Sequence, residues 1–435
     1  MSDSVQQILA REARRTHPDY ITYIPSSWDD QAEDRTNEHF LVFEGPGEVL
    51  MAIWTQSWQA PGLGNINRTM FARSEDAGVT WSPPRRIAGP SGRDDPAHMT
   101  SWAFPLVSRS GRIYVVYNRH HGIQGWIKFH TGTMGGFYSD DGGRTWSPPQ
   151  EIPMPKSPYD DPEGKIPPEW IVWQKPMRDL SGGYFVGYSH WVNRAVATLK
   201  QVSQWPEIES VVEFMRFVNV DRDPEPRDLQ VRYSAWGEQA LRVPHRDYPL
   251  LSVTQEPSLV RLPDQRLFCV MRTCTGYMWW SQSSDDGETW CSPRPLLHKD
   301  CGRVLLNPVA SDPIYPLSDG RYVLFYHNNR GGPVAGGEND AKPREPLYVS
   351  VGEFRPEADQ PVWFSEPRLF MATGGVGVDG VKRPLNDPKS GSLSLYASFT
   401  NRHGNDVLWY PDSKFFLLGK RITADLLAGL TVPTR

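Results

Sequence analysis

The chain has 435 residues, with 46 Lys and Arg against 51 Asp and Glu, so its formal net charge is only -5; neither a nucleic-acid partner nor an anionic bilayer is expected from so slight an imbalance. No apolar run reaches membrane-spanning length, and small-molecule or glycan partners fit the composition better. Forty prolines, 37 glycines and 17 each of Trp, Tyr and Phe give the turn-rich, aromatic-rich make-up of an all-β protein with few helices.

Residues 1–22 read as a lead-in. Ser4 and Gln7 form a capping box, and Val5, Ile8, Leu9 and Ala13 fall on one helical face, which predicts a short N-terminal helix. This start lacks the apolar core of a secretory signal, so a cytoplasmic location is the expectation. From residue 23 to 435 the chain reads as a single domain built from paired strands. The pairs begin with Phe40–Phe43 to Leu50–Trp54, Phe104–Val107 to Ile113–Tyr117, and Trp173–Pro176 to Tyr184–Tyr188. They continue with Pro257–Val260 to Leu267–Met271, Ile314–Leu317 to Tyr322–Tyr326, and Leu393–Ala397 to Val407–Tyr410. The stretch from Trp191 to Pro249 must hold further strands of the third pair, and Gly331–Pro346, rich in Gly, Pro and charge, reads as a surface loop. Cys269, Cys274, Cys291 and Cys301 lack metal-type CxxC spacing and are expected as reduced thiols.

One motif, Ser-x-Asp-x-Gly-x-Thr-Trp, occurs three times: Ser74 to Trp81, Ser139 to Trp146 and Ser283 to Trp290. Ser and Asp side chains can tie a turn's backbone, Gly admits positive φ, and Trp packs the hairpin into its sheet. The pattern is the Asp box, and the chain resembles the sialidase superfamily of β-propellers. That resemblance implies an all-β, six-bladed, sialidase-like propeller with one blade for each of the six strand pairs.

In such a ring, ligands meet the strand ends around the central axis. Those ends carry His39, His98, Arg119, His120, His121, Lys175, His190, Glu256, Arg272, Asp312, His327, Arg330 and Arg402. The segment Gln255-Glu-Pro-Ser through Arg272 resembles the sialidase stretch in which a Glu opens an inner strand and an Arg closes the next. By that resemblance Glu256 activates or orients a nucleophile and Arg272 holds a sugar carboxylate through two parallel hydrogen bonds. A purely structural reading is a Glu256–Arg272 ion pair that locks the blade. Departures are also visible. His39, with Arg35 just upstream, stands where sialidases carry an Arg, Arg68 falls where they carry an acid Asp, and Ser390 to Leu393 supplies no nucleophilic Tyr.

The expectation is therefore a sialidase-like fold with a reaction other than sialic acid cleavage. Histidine titrates near working pH, which makes His120 and His121 candidate catalysts beside Glu256 and Asp312, with the remaining strand-end residues as substrate ligands. No local spacing supports a metal, and no cofactor is expected. Three classes stay open: a hydrolase cutting an acidic sugar from an oligosaccharide, a uronate lyase with a His base and Arg charge neutralisation, and a non-catalytic glycan-binding propeller.

Overall fold

In the computed structural model, residues 17–29, 32–60, 64–92, 95, 97–201, 208–245, 248–331, 344–371, 377–378, 381–382 and 395–434 are described. The helix expected near the N-terminus and most of the loop expected over 331–346 lie outside them.

Six antiparallel sheets follow one another along the chain as the six blades of a propeller. From the axis outward, blade 1 runs Thr36–Glu44, Leu50–Ala60, Gly64–Ser74 and Arg85–Ala88, and blade 2 runs Thr100–Val107, Ile113–Arg119, Thr133–Ser139 and Gln150–Ile152. In blade 3 the inner strand is broken into Glu169–Ile171 and Met177–Arg178, so Trp173–Pro176, expected as strand, forms the break. The blade then continues through Tyr184–Trp191, Ser210–Phe217 and Val231–Ser234. Blade 4 holds Thr254–Arg261, Leu267–Thr273, Trp279–Ser283 and Arg294–Pro295. Blade 5 holds Ile314–Pro316, Tyr322–Tyr326 and Leu347–Phe354, with Val362–Phe364 and Arg368–Met371 both pairing outside.

Blade 6 closes the ring. Ser398–Arg402, Asn405–Asp412 and Phe416–Arg421 are completed by Tyr20–Tyr23 from the other end of the chain, which joins the two ends in one sheet. The strand Tyr20–Tyr23 straddles the boundary expected between the lead-in, residues 1–22, and the domain that begins at residue 23.

Each Asp box forms the turn between the third and fourth strands of its blade. In the first, Ser74 Oγ donates to Asp76 at 2.8 Å and accepts from the Gly78 N–H at 2.8 Å, while Asp76 accepts from the Thr80 N–H and hydroxyl at 2.8 and 2.6 Å. The boxes at Ser139 and Ser283 repeat these bonds. The tryptophans are half-buried rather than buried, because each lies at the blade's edge and presses on the preceding blade. Trp81 packs on Trp409 at 5.6 Å, Trp146 on Phe71 at 5.3 Å, and Trp290 stacks on Phe214 at 4.2 Å. Gly78, Gly143 and Gly287 have φ of +92°, +78° and +92°, and a Cβ on them would stand 2.4–2.5 Å from Trp409, Phe71 and Phe185 respectively. Both conformation and space demand glycine there.

All four cysteines are thiols, Cys269 and Cys274 buried and Cys301 exposed.

Candidate active site

The inner strands of blades 1, 2 and 4 carry the same irregularity at the same place. Two residues oppose one between Glu38 and Leu41, between Ser101 and Phe104, and between Gln255 and Ser258. In each, the residue after the first paired position is left-handed: His39 at φ 53°, Trp102 at 56° and Glu256 at 50°. A bulge re-aims a side chain, and a left-handed backbone at a bulky residue is held only by well-packed surroundings. Those surroundings include the neighbouring blade, since Thr55 Oγ1 accepts from the Trp102 N–H at 3.2 Å and Ser189 Oγ from the Glu256 N–H at 2.7 Å. Counting from the paired residues, Val172 in blade 3, Asp312 in blade 5 and Tyr396 in blade 6 hold the matching positions. One backbone position, used in every blade, thus supplies a ring of six buried side chains.

The ring joins around Trp102, whose indole lies 5.0 Å from the His39 ring, 5.1 Å from Tyr396 and 5.4 Å from His130. Its polar pole is in blades 4 to 6. The Tyr396 hydroxyl donates to Glu256 Oε1 at 2.8 Å, and the same oxygen meets Arg272 Nη1 at 2.5 Å. Arg272 also donates to Tyr396 Oη at 3.4 Å and to Gln255 Oε1. Arg344 adds a second guanidinium, anchored on the Val309 carbonyl at 2.6 Å and interacting with Tyr396, Glu256 and Arg272. Lys414, paired with Glu38, lies over the Tyr396 ring at 5.6 Å.

Burial, reinforced by the Glu256 charge, raises the Tyr396 phenol above its ordinary range, so it stands as the neutral hydroxyl. Asp312 is raised well above the usual carboxylate range, first by burial and then by Glu256. Burial lowers His39 and His327 to about 3, leaving both rings uncharged. Among the described residues, both ring nitrogens of His39, Oε2 of Glu256, both oxygens of Asp312, Nδ1 of His130 and Nε2 of His327 are buried without a hydrogen-bond partner. Unpaired buried polar atoms occur elsewhere too, His120 Nε2 among them, but His39, Glu256 and Asp312 bring five to the ring position alone, which marks it as a site for a polar ligand.

Of the residues expected from sequence, the structure brings together Glu256, Arg272, Asp312 and His39, with His327 on the Arg344 side. It leaves the others elsewhere. His120 and His121 follow the second strand of blade 2, which ends at Arg119. There His120 Nδ1 pairs with the Thr131 carbonyl at 2.9 Å, His121 Nε2 with Thr133 Oγ1 at 2.7 Å, and exposed His98 lies 5.0 Å from His121, with Arg119 close by. His190 is clamped between Glu213 at 2.8 Å and Asp160 at 3.0 Å inside blade 3. Lys175 donates to the carbonyls of Phe399 at 3.0 Å and Val42 at 3.4 Å, and burial lowers its pKa to about 8. Arg330 is exposed, and Arg402 pairs with Glu48 at 3.3 Å on the opposite face, because it ends an inner strand that begins at the site. Among the described residues no group of three or more His, Cys, Asp or Glu side chains is arranged to hold a metal ion.

Sequence reasoning missed Tyr396, Arg344 and Trp102. Tyr396 lies inside the segment expected as the last inner strand, but pairing starts only at Ser398, which places the tyrosine at the ring position.

Residues 65–412 match the BNR repeat-like domain. The chain belongs to that family. Solved structures similar to this BNR repeat-like protein include an intramolecular trans-sialidase from Ruminococcus gnavus in complex with oseltamivir carboxylate, at 13% identity and a TM-score of 0.57, covering 95% of this chain and 99% of that one. The NanB sialidase from Streptococcus pneumoniae is similar at 11% identity and a TM-score of 0.59, over 99% of this chain and 73% of that one. A protein of unknown function from Dyadobacter fermentans is similar at 12% identity and a TM-score of 0.56, over 93% and 96%. At these identities the likeness is one of fold. No curated protein sequence matches the chain.

Proposed function

We propose that this BNR repeat-like protein is a retaining glycoside hydrolase acting on a carboxylated sugar, with Tyr396 as nucleophile, Glu256 as its base and Arg272 with Arg344 as the carboxylate clamp. The observation that carries this reading is the 2.8 Å hydrogen bond from the Tyr396 hydroxyl to Glu256, made beside a guanidinium that touches both residues. A phenol is a poor nucleophile unless a base takes its proton as it attacks, and Glu256 is positioned for that transfer. A neutral attacking oxygen also avoids the repulsion a carboxylate nucleophile meets at an anomeric carbon bearing a negative group. Arg272 lies 3.4 Å from the attacking oxygen, which favours a sugar whose carboxylate is attached at the anomeric carbon, a ulosonic acid, over a hexuronide with its acid across the ring.

In the first step the Tyr396 oxygen bonds to the anomeric carbon, its proton passes to Glu256, and the bond to the departing oxygen breaks as that oxygen takes a proton from solvent. Water then attacks the same carbon as its bond to the Tyr396 oxygen breaks, the attacking water loses a proton to solvent, and Glu256 returns its own proton to the released Tyr396 oxygen. The test is to trap the intermediate with a fluorinated ulosonic acid fluoride, whose electronegative ring substituent slows the second step. Mass spectrometry should find the sugar on the peptide containing Tyr396, and no label in Tyr396→Phe. Turnover of ulosonic acid glycosides with the label on another residue would overturn the assignment, and an unsaturated product absorbing in the ultraviolet would establish elimination instead.

A further inference from the structure

Asp312 is the one carboxyl of the axial ring without a task in that scheme. It occupies the same position in blade 5 that Glu256 occupies in blade 4, and each is followed by a proline, Pro313 and Pro257. It is fully buried, yet among the described residues neither of its oxygens has a partner. Among the described residues, two other buried carboxylates, Glu213 and Asp179, are fully engaged, and Glu169 and Glu256 each leave only one oxygen without a partner. Glu213 accepts from Tyr188, His190 and the Gly237 N–H, and Asp179 accepts from Ser181, the Gly183 N–H and Arg216. An acid buried with nothing to bond is a cost that folding alone does not explain.

The charges nearby narrow what it can do. Glu256, Arg272 and the Cys269 thiol interact with Asp312 from blade 4, and Arg344 and Tyr396 interact in turn with Glu256 and Arg272. Arg272 already engages Glu256 and Gln255. With Glu256 ionised, the two guanidiniums leave one positive charge for an incoming carboxylate, and an ionised Asp312 would cancel it. A neutral carboxylic acid carries an O–H; no hydrogen bond joins Asp312 to Glu256, the other carboxyl of the ring, and a ligand carboxylate is a charged acceptor that can take it.

We propose that Asp312 donates a hydrogen bond to the carboxylate of the bound sugar, a neutral third contact beside Arg272 and Arg344. The inference rests on the functional reading above and identifies what completes the recognition of the acid group. It also distinguishes the roles of two equivalent carboxyls: Glu256 accepts a proton, and Asp312 presents one.

The experiment compares Asp312→Asn, which keeps a donor of similar shape, with Asp312→Leu, which removes it. Binding of free N-acetylneuraminic acid and a second ulosonic acid is measured by calorimetry, together with melting temperature and the infrared band of a protonated carboxylic acid in the unliganded protein. Asp312→Asn should bind within about threefold of wild type, and Asp312→Leu roughly tenfold or more weaker, the worth of one hydrogen bond to a charged group. Asp312→Leu should melt no lower than wild type, since it buries no unpaired polar group. The infrared band should vanish in both variants. Unchanged affinity in Asp312→Leu, equal loss in both variants, or a band that survives replacement of Asp312 would each overturn the proposal while wild-type binding leaves the functional reading standing. If wild type binds neither acid, the functional reading fails and the donor role falls with it, whatever the infrared band shows of Asp312 itself.

Discussion

At the outer turns of blades 1, 2 and 4 the same side chains recur with the same bonds: the Gly N–H to Ser Oγ distance is 2.8 Å in all three boxes and the Thr hydroxyl to Asp distance 2.6 Å. At the head of the inner strands a backbone position recurs just as faithfully, but it carries His39, Trp102, Val172, Glu256, Asp312 and Tyr396. Constant chemistry at a repeated position serves the repeat, because every blade faces the same packing problem. Varied chemistry at a repeated position serves something outside the repeat. In a propeller that something lies on the axis, the one place all blades share.

The comparison breaks first, and by the largest amount, at Tyr396. Tyr396→Phe removes one oxygen from the ring and none of its packing on Trp102, so turnover on a ulosonic acid glycoside should fall by about 10³-fold or more with the melting temperature nearly unchanged. Equal loss of stability and activity would show that the hydroxyl is a structural tie. Gly143→Ala should do the opposite. Its φ of +78° strains any other residue, and the added Cβ would stand 2.4 Å from the Phe71 ring, which is itself pressed by Trp146. Denaturant unfolding should register a loss of about 2–5 kcal/mol from strain and overpacking together. Affinity for the sugar acid should stay at the wild-type value, and a drop in it would mean that the Asp-box turns and the axis are coupled. Trp146→Ala sharpens the same point at smaller cost: a half-buried indole at a blade edge should be worth about 1–3 kcal/mol, less than a fully buried one.

These contrasts also explain what was legible in the sequence. The Asp boxes and the hairpins were readable because turn chemistry and strand alternation are local, and both carry the fold. The axial ring is not local. Glu256 and Arg272 were readable because a pairing of strand start and strand end keeps them close in sequence, whereas Tyr396 meets Glu256 across 140 residues. Its position depends on where pairing begins, and strand ends are the least certain feature of a sequence reading. Arg344 was hidden by its neighbours, since Pro343, Glu345 and Pro346 have loop composition even though the guanidinium reaches the site. Arg402 and the pair His120 and His121 misled for geometric reasons. One sits at the far end of an inner strand and the others beyond the end of a second strand, two and three residues past the register at which Arg272 reaches the site, and neither the direction nor the end of a strand is written in its residue types.

His190 misled for a chemical reason, and it provides the smallest effect. A buried, titratable histidine near a strand end suits catalysis, but here it bridges Glu213 and Asp160 in blade 3, a blade without an Asp box. Burial by itself would lower its pKa; the two carboxylates more than reverse that and bring it to about 10 from an ordinary 6.5. The folded state therefore holds this proton more tightly than the unfolded chain does. Linkage then fixes the sign: the stabilisation is complete below pH 6.5 and fades as pH rises towards 10. The value of about 10 already includes the cost of burial, and in a chain of 435 residues the melting temperature should fall by about a few degrees across that window. His190→Gln should melt lower than wild type on the acid side of the window and show a flatter profile through it. An identical slope in the variant would place the titrating group elsewhere and leave blade 3 without a charged lock of its own.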